Sequence, residues 1–174
     1  MLEFALPYLI AMALEMDPPA QGEAMVQSEV AVATEATEMA IASTATREPE
    51  PQVPTGKYTT AVEVKPILGM TKSNWVAVRL YEGQDLLYFT QMLSWRCGLW
   101  EIRYGINGNP ADQVFEMEPC HLDTAQPNAM TDVANYLPFV TLPPESVDTL
   151  YVEITYDDGT TDFAQFNRNE IEIP

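Results

Sequence analysis

The sequence predicts an all-β fold, a small antiparallel β-sandwich behind a disordered acidic N-terminal segment. Three observations predict it. From Lys57 onward, strand-forming residues dominate and Gly, Asn, Asp and Pro interrupt them at short intervals. Several of these runs alternate apolar and polar residues with the period of a half-buried strand. The only two cysteines, Cys97 and Cys120, flank the most aromatic stretch of the chain. Seven or so short strands in this space argue for two packed antiparallel sheets. A partly open barrel and a single curled sheet covered by a loop are the alternatives.

The elements follow in order. Residues Phe4 to Leu14 form an apolar run too short to cross a bilayer, which takes about 20 residues. The run suits the apolar core of a signal peptide, and Ala11-Met12-Ala13 gives the small-x-small pattern of a cleavage site, although Glu3 stands where a positive charge is expected. Residues 1–16 are therefore read as a signal peptide or a short apolar helix. Residues 17–56 contain no aromatic residue and are dominated by Ala, Thr, Glu and Pro. Such a composition offers little apolar area against the entropy of ordering, so this segment reads as a linker with a stiff, Pro-rich exit at EPEPQVPTG. The composition change places the domain at residues 57–174.

Within the domain, Thr59–Lys65 alternates, with Val62 and Val64 on one face, and Pro66 makes it an edge strand or its end. Trp75–Tyr81 and Leu86–Leu93 read as a hairpin turned at Glu82-Gly83-Gln84-Asp85. Trp100, Ile102, Tyr104 and Ile106 share one face of the clearest strand, with Glu101 and Arg103 on the other. Asn107-Gly108-Asn109-Pro110 turns the chain and Gln113–Met117 pairs back. Residues 119–146, rich in Pro and Asn, read as a long ordered loop with one helical turn near Met130–Asn135. Leu150–Tyr156 and Thr161–Phe166 form a last hairpin around Asp157-Asp158-Gly159, and the closing IEIP adds a short edge strand.

Charge and cysteine use bound the function. Of 174 residues, 26 are acidic and 8 basic, a net charge of −18. This balance repels phosphate backbones and anionic lipid, so neither nucleic-acid binding nor electrostatic membrane docking is expected. Cys97 and Cys120 are read as one disulfide closing the hairpin between them, which fits an oxidising compartment. The expected location is periplasmic or extracellular, with a reduced cytoplasmic protein as the alternative.

Catalytic patterns are weak. His121 is the single histidine and sits beside Cys120 in CHLD, but neighbours in an extended segment point apart, and a disulfide consumes the thiolate. The same residues lack the spacing of a zinc site. The turn from Asp157 to Asp162 gathers carboxylates, yet its order is not that of a calcium loop. No cofactor and no metal are expected. Aromatics are the remaining feature: Tyr88, Trp95, Trp100 and Tyr104, with Phe89, cluster around the staple and suit a surface that stacks on a partner protein or a glycan. The expectation is an exported, non-enzymatic interaction or structural domain, a monomer or weak oligomer without an integral membrane span, accessory to the cell envelope. The alternative is a small hydrolase built from scattered carboxylates.

Overall fold

The computed structural model describes residues 47–174; the signal-peptide reading and most of the linker reading lie outside the described residues. Two antiparallel sheets share one hydrophobic core, as a small β-sandwich does, and they do not close into a barrel. The first sheet has the order β1-β2-β5, from β1 (Ala77–Tyr81), β2 (Gln84–Tyr88) and β5 (Phe139–Leu142). The second has the order β4-β3-β6-β7, from β3 (Leu99–Ile106), β4 (Gln113–Phe115), β6 (Thr149–Tyr156) and β7 (Thr161–Asn167).

The first element departs from expectation. The alternating segment before Pro66 is not a strand but the start of a helix, α1 (Ala61–Met70). Ala61, Val64 and Leu68 are fully buried, which is helical spacing, while Val62 is exposed. Thr60 begins the helix: its carbonyl accepts from Glu63 N at 3.0 Å and Val64 N at 3.1 Å. Pro66 lies inside the helix and leaves the Val62 carbonyl without its usual donor. The indole of Trp75, also fully buried, closes the far end by donating to the Leu68 carbonyl at 3.0 Å.

β1 and β2 form the expected hairpin on a two-residue loop, Glu82-Gly83, both with positive φ (49° and 75°). Such a loop matches the twist of its strands. The second arm is shorter than the sequence suggested: after Phe89 the chain turns into α2 (Thr90–Leu93), which buries Met92 and Leu93. β5 falls in the stretch read as a loop. It pairs with β2 from Asp85–Leu142 to Tyr88–Phe139, between Pro138 and Pro143. The one-turn helix near residues 130–135 is a turn at Asp132, whose carbonyl accepts from Tyr136 N at 2.9 Å.

The second sheet follows its alternation closely. Leu150, Val152 and Ile154 are fully buried and Tyr156 nearly so, facing Ile102 and Tyr104 of β3. Burying each such aliphatic side chain contributes about 1.5–3 kcal/mol. The two sheets meet at Phe89, whose ring centroid lies 4.2 Å from that of Phe115 and 5.3 Å from that of Tyr104. Gly105 is needed on β3 because the 107–112 turn folds back over it. A Cβ there would sit 2.2 Å from the Pro110 carbonyl oxygen.

The closing residues return onto β1. Asn167 and Glu170 cap α3 (Arg168–Ile171), after which Ile173 N donates to the Val78 carbonyl at 2.8 Å. The closing residues thus add one parallel bridge, Val78–Glu172, to the edge of β1 rather than a full strand. Arg168 reaches into the core end of the first sheet and grips the fully buried Asp85 through both guanidinium nitrogens, at 2.6 and 2.8 Å. Ser146 N and Val147 N complete the carboxylate's partners.

Candidate functional site

The two cysteines form the staple expected from the sequence. Cys97 and Cys120 Sγ are at bonding distance, 2.08 Å. β3 and β4 pair Ile102 with Phe115, and the same register continued along both strands sets Cys97 opposite Cys120. The bond therefore locks a ladder that is itself only three pairs long.

Beside it lies a buried ionic cluster. Arg96 is 2% exposed and donates to five carbonyls, those of Leu93, Glu118, Pro119, Asn128 and Ala129. Burial pushes the guanidinium pKa down, and the Glu118 charge opposes that shift. Glu118 accepts from His121 Nε2 at 2.6 Å, from Thr131 N and Oγ1, and from Asp132 N. Its desolvation favours protonation, but these hydrogen bonds outweigh it and bring the pKa down to about 2. His121 is thus turned to Glu118, and Cys120 to Cys97. The two residues of the CHLD motif serve different partners, and together they hold the 118–132 loop against the sheet.

The carboxylates of the 157–162 turn are also engaged. Asp158 pairs with Lys65 of α1, and Asp162 with Lys72. Asp157 is 2% exposed, and its Oδ1 accepts from Ala61 N, the first residue of α1, and from Gln52 Nε2, each at 2.8 Å. Its Oδ2 has no partner among the described residues. Burial raises its pKa, the two donors lower it in part, and the charges of Glu50 and Asp158 raise it further.

A third carboxylate, Glu63, collects donors from Thr55 N, Gly56 N, Thr59 N and Thr60 Oγ1. Desolvation raises its pKa, and the hydrogen bonds from Thr59, Thr60, Gly56 and Thr55 overcome it, bringing it down to about 2. Glu63 and Glu118 both have folded pKa values below the unfolded value of 4.5. The stability they contribute is present above that value and disappears as pH falls toward about 2. Asp157, with a raised pKa, acts in the opposite sense. We expect urea midpoints to fall steadily between pH 4.5 and pH 2. In the Glu63→Gln variant the decline should be shallower, because one of the two low-pKa groups is gone. An unchanged slope would mean that these hydrogen bonds contribute nothing differential.

The four aromatic residues singled out by the sequence do not form one surface. Tyr104 is 6% exposed and packs on Phe89, so it belongs to the core. Tyr88 stands on the outer face of the first sheet against Phe139, with ring centroids 5.1 Å apart. It lines a cleft of about 440 Å³ with Ala77, Arg79, Thr90, Gln91 and Ile173. Trp95 follows α2 and meets Tyr58 edge-on at 5.1 Å, in a separate depression with Ala125–Ala129. Trp100 borders a third cleft, of about 410 Å³, with Leu99, Met117, Leu122 and the staple.

Trp100 leaves the face it shares with Ile102 in the sequence pattern because the β3–β6 register shifts between Leu99 and Glu101. The bulge re-aims the ring toward residues 47–50. Its Nε1 donates to Glu50 Oε1 at 2.9 Å, and the Arg47 guanidinium lies 4.6 Å above it. Residues 47–56, placed in the linker by composition, are hydrogen-bonded to the domain through Glu50, Gln52 and Thr55. This contact, and the role of Asp157 in receiving it, are what sequence reasoning missed.

No helix among the described residues is long and apolar enough to cross a membrane. No protein-family model matches the chain, and neither a curated protein nor a solved structure matches it.

Proposed function

We propose that the chain is an exported, non-enzymatic interaction domain of the periplasm or the extracellular space, an accessory protein of the cell envelope. It binds a protein or glycan partner through the outer face of the β1-β2-β5 sheet and works as a monomer or weak oligomer. The observation that carries this reading is the character of that face. Tyr81 and Leu86 join Tyr88 and Phe139 there, with Arg79, Gln84 and Thr141 as the polar positions. A sheet face turned to water is ordinarily polar, and an aromatic one suits a contact surface. The outer face of the second sheet is different: its Tyr151–Phe163 pair sits among Glu101, Arg103 and Glu153. The cysteine pair at bonding distance supports an oxidising compartment, together with the apolar run at residues 4–14.

One observation favours the hydrolase alternative: buried Asp157, with its raised pKa and unpartnered oxygen, lies in the same cleft as Glu50. Against it, the Glu50 carboxylate is already held by the Trp100 indole and by Arg47 at 2.9 Å.

Photo-crosslinking residues introduced at positions 88, 139 and 161 in intact cells test the proposal. Discrete adducts are expected at 88 and 139 and none at 161, on the other sheet. Absence of adducts at both 88 and 139 would overturn it.

A further inference from the structure

Away from the Tyr88 face, the chain lays one of its own segments across Trp100. Residues Arg47–Gln52 read Arg-Glu-Pro-Glu-Pro-Gln, and they are bound as a peptide ligand is bound. Glu50 N donates to the Asp157 carbonyl at 2.8 Å, a single backbone bond of the kind that aligns an added strand. The Glu50 side chain accepts the Trp100 indole proton at 2.9 Å. Gln52 bonds at both ends of its amide: Nε2 donates to Asp157 Oδ1 at 2.8 Å, and Oε1 accepts from Val62 N at 3.0 Å. Pro49 lies beside Gly159, with its Cγ 3.7 Å from where a Cβ would stand. Prolines on either side of Glu50 keep the segment extended, so little conformational entropy is lost when it docks.

The receiving groups are held by the β domain itself. Trp100 is aimed by the β3 bulge, and Asp157 is fixed by Ala61 N on its side chain and by its own N–H to the Gly98 carbonyl at 3.1 Å. The segment joins the domain through Val53 and Pro54, both exposed. Arg47 and Glu50 of the segment also line the cleft of about 410 Å³ beside the staple, whose apolar wall is Leu99, Met117 and Leu122. The resident segment therefore uses the polar contacts of the slot and leaves its apolar part unused.

We propose that this slot is a recognition site for an extended, proline-flanked acidic segment of a partner protein, of the Pro-Glu-Pro-Gln kind, and that Arg47–Gln52 is the resident occupant the partner displaces. Glu50 and Gln52 define the required chemistry: a carboxylate for the indole N–H, and a primary amide two residues later for Asp157 and Val62 N. A partner whose segment also carries an apolar side chain for the Leu99–Met117 wall gains contacts the resident lacks.

The test uses the full chain and a fluorescein-labelled peptide of residues 47–54, followed by anisotropy. In the wild type the tethered segment competes at high effective concentration and the peptide binds weakly. The Glu50→Ala/Gln52→Ala full chain leaves every slot residue in place and should bind the peptide at least 10-fold more tightly. Adding Trp100→Ala should return affinity to the wild-type level or below. A second pair, Pro49→Gly/Pro51→Gly, loosens the resident segment without touching the slot and should move affinity the same way by a smaller factor. Equal affinity in the wild type and both weakened variants would overturn the proposal, as would tight binding that survives Trp100→Ala. A concentration-dependent dimer of wild type with the Glu50→Ala/Gln52→Ala chain, without peptide binding, would assign the slot to a second copy and overturn it too.

Discussion

Replacing both cysteines, Cys97→Ser/Cys120→Ser, is expected to destabilise the domain by about 3.5 kcal/mol, from the loop-entropy cost of a closure this long. That is a large share of the ~5–15 kcal/mol total of an ordinary domain. The melting temperature should fall by on the order of 10 °C. The loss should be regional before it is global. Without the bond, the three-pair β3–β4 ladder no longer holds the 118–132 loop in place, and the four loop carbonyls bonded by Arg96 become exposed first. Hydrogen exchange should show amides of residues 118–132 opening well before those of β6. Matching unfolding midpoints for the oxidised wild type and the double variant would contradict the claim that the staple stabilises this end of the sheet.

Asp85→Ala should cost about 3 kcal/mol, at the lower end for breaking a buried ion pair because Arg168 keeps some contact with water. The carboxylate sits at the first sheet's core end, fully buried, and four donors converge on it: both nitrogens of Arg168, Ser146 N and Val147 N. Removing it takes from Arg168 its two shortest bonds, leaving the guanidinium only Glu172 and the Val147 carbonyl at 3.2 Å, and strands two backbone N–H groups in the same step. Asp85→Asn should recover only part of the loss, since the amide cannot accept at both ends as the carboxylate does. Urea denaturation of the two variants checks this. A change below about 1 kcal/mol for Asp85→Ala would mean that water replaces the carboxylate there.

These two features were unequally legible in the sequence. The cysteine pair could be read because two isolated cysteines across a hairpin have one another as partners. The Asp85–Arg168 pair could not, because the residues are far apart in the chain and one lies in what reads as a turn. The same division runs through the fold. β3, β6 and β7 show their alternation because one face of each meets the core and the other meets water. β5 shows none: it is four residues between prolines, and it is a strand only because the edge of β2 offers it partners. α1 was masked by Val62 and Val64, which imitate a strand, and by Pro66, which argues against a helix. The Thr60-x-x-Glu63 pattern was the available signal for a helix start. Of the aromatic residues, period-2 reasoning grouped Trp100, Ile102 and Tyr104 on one face, but their density suggested a contact surface where Tyr104 is core, and nothing in the pattern shows the bulge that turns Trp100 away.

The return of the chain onto β1 carries a consequence for the order of events during synthesis. Asp85 is made 83 residues before the arginine that neutralises it, and Val78 waits longer still for the Ile173 amide. Until residues 168–173 emerge, the first sheet has an unprotected edge and a carboxylate that a closed core would have to bury unpaired. The first sheet of a nascent chain therefore lacks these contacts until residues 168–173 have been made. Under the export proposed above, a fold that completes late is compatible with transport in an extended state. Oxidation of Cys97 and Cys120 can then follow on the far side, where residues 168–173 are free to close β1.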